Sequence, residues 1–121
     1  MTDYAASVDR YLAAWNEADA ETRTKLIAEA WTEDATYTDP LADVAGYEGI
    51  AAVIAGAQQM FPGLGFSRGE ILDGHHDVVR FTWHLGLAGE EPVVIGFDVA
   101  TLADDGRVRH VYGFLDKVPA A

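Results

Sequence analysis

The chain has 121 residues, half of them hydrophobic, and its three Trp, five Tyr and five Phe supply bulk for a single domain over 1–121 with one core. It has no cysteine, which excludes a disulfide framework, a thiol nucleophile and a cysteine zinc site. The formal charge is −12, from 20 acidic residues against eight Lys and Arg, which argues against nucleic acid and anionic membranes as partners.

Met1-Thr2-Asp3-Tyr4 has neither the basic nor the apolar part of a signal peptide, so the expected location is the cytoplasm. Tyr4, Val8, Tyr11, Leu12 and Trp15 recur at helical spacing. They predict a first helix from Asp3 to about Ala18, capped by Thr2 or Asp3. Asp19 caps a second helix, Ala20 to about Trp31, whose apolar stripe is Leu26, Ile27, Ala30 and Trp31. A short strand, Ala35–Thr38, leads into Asp39-Pro40. Proline biases the residue before it towards extended geometry, so Asp39 is expected at a strand end with its carboxylate fixed, a candidate acid or base. Leu41 to Gly46 reads as a loop. Ile50, Val53, Ile54 and Ala57 mark a third helix, which ends near Met60-Phe61 and is stopped by Pro62-Gly63-Leu64-Gly65.

The remainder reads as strands: Phe66–Leu72, Val78–Leu87, Val93–Leu102 and Arg107–Asp116. Asp73–Asp77, Ala88–Glu91 and the hairpin signal Asp104-Asp105-Gly106 separate them. Val79, Phe81, Trp83 and Leu85 share one strand face, with Arg80, Thr82 and His84 on the other. Helices first and a meander second predict an α+β fold, a curved antiparallel sheet with helices on one face. The strand Val93–Leu102 is apolar on both sides, so its outer face, with Val93, Ile95, Phe97 and Val99, is expected to form a homodimer interface.

Asp98 breaks that strand's pattern. Alternation sets it with Val94, Gly96, Ala100 and Leu102. A buried carboxylate costs several kcal/mol unless it is paired or protonated. Three explanations stand: a partner such as Arg80 or Arg109, less burial than the pattern suggests, or a functional acid in a cavity. His75-His76-Asp77 lacks a second ligand motif, so no metal site is expected. His84, and His110 with Tyr112, read as surface or interface residues. Gly63-Leu64-Gly65 is a helix breaker rather than a phosphate loop.

Three segments then carry a resemblance. They are Arg10-Tyr11-Leu12-Ala13-Ala14-Trp15-Asn16, Glu33 through Pro40, and Phe97-Asp98-Val99 followed by Asp105-Gly106-Arg107-Val108. In order and spacing the chain resembles the nuclear transport factor 2-like superfamily, from Tyr4 to Lys117, and within it the SnoaL-like polyketide cyclases and the ketosteroid isomerases. The resemblance implies a cone-shaped α+β barrel with three helices in the concavity of a strongly bent sheet and a small-molecule cavity between them. It implies catalytic roles for three residues: Asp39 as general base, with Tyr11 and a protonated Asp98 as donors to an oxyanion. The chemistry of such a site is simple: an ionised carboxylate takes a proton from carbon beside a carbonyl, and neutral donors hold the enolate. The resemblance also implies a cavity lined by Trp15, Met60, Phe61, Val79, Phe81, Trp83, Gly96, Val111 and Leu115. The ligand would be a small apolar molecule, steroid- or polyketide-like, and no cofactor is called for.

Two departures qualify the resemblance. Trp31 and Ile54 stand where isomerases support the first tyrosine with further tyrosines, and the stretch from Tyr11 to Asp39 is longer by about one helical turn. Limonene epoxide hydrolases share the fold but use an Asp-Arg-Asp arrangement, which Arg80 followed by Thr82 does not provide. The function expected is proton transfer on an apolar carbonyl compound. The alternatives are a non-catalytic module that holds a hydrophobic ligand and, third, a protein-interaction or transport role.

Overall fold

Asp3 caps the first helix, α1 (Tyr4–Asn16), by accepting the Ala6 N–H at 3.0 Å. The computed structural model describes residues 3–119, and Thr2, the other candidate cap, lies outside them. Val8, Tyr11, Leu12 and Trp15 form the buried face of α1. Asp19 caps α2 (Ala20–Ala30) through the Thr22 N–H at 2.9 Å. Helix α2 stops one residue before the expected Trp31, because Trp31 is already extended, wholly buried and the first residue of β1 (Trp31–Thr38).

Strand β1 is longer than its β-prone core, Ala35–Thr38. Its first half, Thr32-Glu33-Asp34, reads as loop in composition and falls in a register irregularity between Trp31 and Thr36, both of which pair with a distant strand. The segment expected to be loop contains a short strand, β2 (Asp43–Ala45), paired antiparallel with the end of β1. Helix α3 (Gly46–Met60) starts earlier than its first large apolar residue. Gly46 permits that start with φ +77°, a left-handed value that favours glycine.

The meander follows as β3 (Gly65–His75), β4 (Val78–Gly86), β5 (Val94–Leu102) and β6 (Val108–Lys117). The turn between β3 and β4 is shorter than the sequence suggests, and His76 takes a φ of 50° there. One six-stranded sheet results, in the order β2-β1-β6-β5-β4-β3. All neighbours are antiparallel except β1 and β6, which are parallel, so the sheet is mixed rather than purely antiparallel. The physical reason is the route of the chain. β1 enters from the helical layer, and β6 reaches its side only after the whole meander.

Register shifts between Arg68 and Leu72 and near both ends of the β5–β6 ladder add twist, and the sheet curves around the helices. The helices are tied together by polar contacts. Gln58 on α3 donates to the Trp15 and Glu17 carbonyls at 3.0 and 2.8 Å, and Arg23 on α2 donates to Gln58 at 2.8 Å. The core lies between helices and sheet, with Trp31, Phe81, Ile27, Ile50 and Ile54 among its most buried side chains. This is the α+β cone that the sequence predicts. Among the described residues, no helix is long and apolar enough to cross a membrane.

Candidate functional site

The strand registers bring two acids to one glycine. Thr38 lies opposite Tyr112 in the parallel β1–β6 pair, so the next residue, Asp39, comes level with Gly113. Gly113 pairs in turn with Asp98 on β5, and Asp98 with Phe81 on β4. A Cβ at Gly113 would lie 2.8 Å from Asp98 Oδ1 and 3.3 Å from the Asp39 Cβ. Only a hydrogen at this position leaves room for both acids.

Asp98 is 2 % exposed, and its Oδ2 accepts the Tyr11 hydroxyl at 2.9 Å. Of the three explanations for this residue, incomplete burial and an arginine partner both fall away. Arg80 points outward to Asp73 at 3.4 Å, and Arg109 is exposed on the far face. Burial pushes the Asp98 carboxyl up to about 7; hydrogen bonds from Tyr11 and the Trp83 indole pull it down, and the nearby Asp39 charge adds to the rise. Trp83 reaches this place because its ring lies over Gly96, where any side chain would collide with it. The Tyr11 phenol is raised well above its ordinary value, first by burial and then by the charge of Asp98. It therefore stays a neutral donor at physiological pH.

Asp39 is half-buried and held by three donors. Its Oδ1 accepts the Leu41 and Ala42 N–H groups, both at 2.8 Å, and its Oδ2 accepts the Tyr37 hydroxyl at 2.6 Å. Burial, then Asp98, then Asp39 raise the Tyr37 phenol.

A cavity of about 460 Å³ lies beside these groups. Tyr11, Tyr37 and Asp39 contribute to one part of its wall; most of the rest is apolar. Helix α3 presents Ala52, Val53, Gly56 and Ala57 to it, and a Cβ added at Gly56 would meet nothing within 4 Å. These small residues leave the space unfilled. Leu41, Met60 and Val118 are wall residues that are also 74 %, 62 % and 56 % exposed, so they mark the mouth.

The family model for the SnoaL-like domain matches residues 8–111. The chain belongs to the SnoaL-like family. Among solved structures, a candidate isomerase of the SnoaL-like family from Agrobacterium tumefaciens is 44 % identical, with a TM-score of 0.87 over 96 % of this chain and 99 % of its own. A candidate SnoaL-like polyketide cyclase from Jannaschia sp. CCS1 is 23 % identical, with a TM-score of 0.68 over 91 % of this chain and 85 % of its own. An NTF2-like protein of unknown function from Exiguobacterium sp. 255-15 is 16 % identical, with a TM-score of 0.70 over 91 % and 98 %. The last two likenesses concern the fold alone. No curated protein matches the sequence.

In this SnoaL-like chain the three candidate catalytic residues converge, but unequally. Tyr11 and Asp39 line the cavity, whereas Asp98 lies behind Tyr11 and forms no part of the wall. Trp15, Met60, Phe61, Trp83 and Leu115 line the cavity. Val79, Phe81 and Val111 lie in the closed core at the other end of the same strand faces, and Gly96 lies beneath Trp83. Tyr37 is not among the residues that the sequence singles out. Alternation is the signal for it, since Ala35, Tyr37 and Asp39 are two apart and share a strand face. His84 sits on the outer face, and His110 meets Thr36 Oγ1 at 2.8 Å on β1. His75 and His76 lie at the β3–β4 turn, with ring centroids 5.8 Å apart.

Proposed function

We propose that this SnoaL-like protein catalyses proton transfer at carbon beside the carbonyl of a small apolar compound, as ketosteroid isomerases do. The observation that carries this reading is the buried Tyr11–Asp98 hydrogen bond of 2.9 Å, with Asp39 approaching Gly113 from the other side. Asp39 is the base. It takes the proton from the α-carbon, and the electron pair of that C–H bond moves onto the carbonyl oxygen as an enolate. Tyr11, on the wall, donates to that oxygen. Asp98 acts through Tyr11. Below about pH 7 it keeps its proton and can donate to Tyr11 Oη over the same 2.9 Å, which frees the tyrosine's own proton to turn into the cavity. Returning the proton at a different carbon gives an isomer; attack of the enolate on a second carbonyl gives a ring. Neither step calls for a cofactor.

The volume of about 460 Å³ suits one drug-sized molecule, and the apolar walls favour one with few polar groups along its body, steroid- or polyketide-like. The test is isomerisation of β-isophorone, a small β,γ-unsaturated ketone, to its conjugated form. Removing a positioned general base costs roughly 10²–10⁴-fold, so Asp39→Asn should lose turnover by that factor while keeping its fold. Equal rates for wild type and Asp39→Asn would remove Asp39 from the chemistry.

A second reading has its own support. Asp39 is already engaged by three donors, and Asp98 has no contact with the cavity, as in a site that only holds a hydrophobic ligand. For either reading we propose a homodimer through the outer sheet face. Phe97 and Phe114 are cross-strand neighbours there, with Tyr112 and Phe114 exposed.

A further inference from the structure

We infer that Tyr37 is a positioning residue that makes Asp39 a base with a single working direction. This inference rests on the proposed role of Asp39. A carboxylate has about four lone-pair positions. Two donors, the Leu41 and Ala42 N–H groups, occupy Oδ1, and the Tyr37 hydroxyl takes one position on Oδ2 at 2.6 Å. One position remains, on Oδ2, the oxygen that carries Tyr37.

The three donors are rigid in different ways. The two N–H groups belong to the turn after Pro40, which closes on itself as the Asp39 N–H donates to the Ala42 carbonyl at 2.9 Å. They hold Oδ1, but the carboxylate could still tilt about that end. Tyr37 stops the tilt. It is 4 % exposed, its ring packs 5.5 Å from Trp15, and it sits on the same strand two residues before Asp39. No cation shares this task, because the ion pairs among the described residues are Arg68–Asp9, Arg80–Asp73, Arg107–Asp105 and Lys117–Glu91. The titratable groups around Asp39 are Tyr37 on its own strand, Asp98 on β5 across Gly113, and Tyr11 on α1, which donates to Asp98.

The arrangement has a chemical consequence. With Oδ1 filled and Tyr37 on Oδ2, the carboxylate offers a single free lone pair, and the Tyr37 hydroxyl fixes where it points. Losing the hydroxyl should free the carboxylate to take more than one orientation about Oδ1. Loss of the single orientation with the fold intact separates a positioning role from a merely structural one.

The experiment is carboxyl-carbon NMR at one fixed pH in protein labelled at aspartate, for wild type, Tyr37→Phe and protein carrying ring-fluorinated tyrosine at position 37. In Tyr37→Phe the Asp39 signal should move and broaden relative to wild type, because the carboxylate is no longer held in one orientation. Fluorinated tyrosine is a more acidic phenol and a stronger donor, so it should move the same signal the other way. It also keeps the test open if the phenylalanine variant does not fold. An Asp39 signal unmoved in position and width by either change overturns the inference. This readout needs no substrate, so it fails or succeeds separately from the isomerisation test of Asp39→Asn. If Asp39→Asn abolishes turnover while the Asp39 signal is unmoved by the Tyr37 changes, Asp39 is the base and Tyr37 does not direct it. If both Tyr37 changes shift the signal and β-isophorone is not turned over, Tyr37 orients Asp39 and it is the base role that fails.

Discussion

Replacing Asp98 by Asn should change how stability depends on pH. Asp98 is 2 % exposed, and its carboxyl is raised from 3.8 to about 7, chiefly by burial. In the unfolded chain the same group releases its proton near pH 4. Between about pH 4 and 7 the folded protein therefore binds more protons than the unfolded one, and stability falls as pH rises through that window. Above about pH 7 both states are ionised and the loss levels off. At about 1.4 kcal/mol per unit, the loss amounts to about 4 kcal/mol. Asn has the same shape, can still accept the Tyr11 hydroxyl and carries no titrating proton. The stability of Asp98→Asn relative to wild type should accordingly grow by up to about 4 kcal/mol between about pH 4 and pH 8. The other carboxylates cancel in this difference. Urea unfolding followed by circular dichroism reads the effect as a relative midpoint shift of roughly 2 M, taking a slope of about 2 kcal/mol per M. Parallel curves, with the difference changing by less than about 1 kcal/mol, would refute the claim that Asp98 is buried with a displaced titration.

Gly113→Ala should cost about 1–3 kcal/mol in the same urea assay, because the added carbon would stand 2.8 Å from Asp98 Oδ1 and 3.3 Å from the Asp39 Cβ. It should also lower β-isophorone turnover, and full stability together with full activity would mean that the two acids do not meet there. Phe97→Asp on the outer sheet face should yield a monomer by sedimentation where the wild type sediments as a dimer, with the cavity ligand still bound; a wild-type monomer would dismiss the dimer outright.

Local pattern is enough to place the helices. Their caps, Asp3 and Asp19, and their apolar stripes lie within a few residues of each other, so short-range physics decides them. The first half of β1 and all of β2 were not legible in the same way. Thr32-Glu33-Asp34 falls in a register irregularity between Trp31 and Thr36, which pair with Val108 and His110, and Asp43-Val44-Ala45 is made a strand by pairing with Thr36-Tyr37-Thr38, so non-local partners decide both. Alternation set Asp98 on the apolar face of its strand but left its burial open, and its partner was not legible because the α1–β5 contact spans most of the chain.

Alternation also explains why the cavity was only partly legible. It assigns a residue to a face and says nothing of depth along the cone. Trp83 and Leu85 share a face with Val79 and Phe81, yet the first two meet the cavity and the last two fill the closed end. The open space itself was written in α3, where Ala52, Gly56 and Ala57 leave one helix face too small to fill the concavity. The meeting of Asp39 and Asp98 depends on the parallel register of β1 against β6 and on Gly113, neither of which has a local signature.

The proposed chemistry stands or falls on whether Tyr11, backed by Asp98, presents a hydrogen bond to an oxygen of a ligand in the cavity. Titration of equilenin, whose phenolate imitates an enolate, reads this out by fluorescence, with wild type compared against Tyr11→Phe. Saturable binding to wild type and at least roughly tenfold weaker binding to the variant are expected, since a hydrogen bond to a charged group contributes about 1.5–3 kcal/mol. Binding of equal strength to both proteins, or none to wild type, would contradict that role for Tyr11.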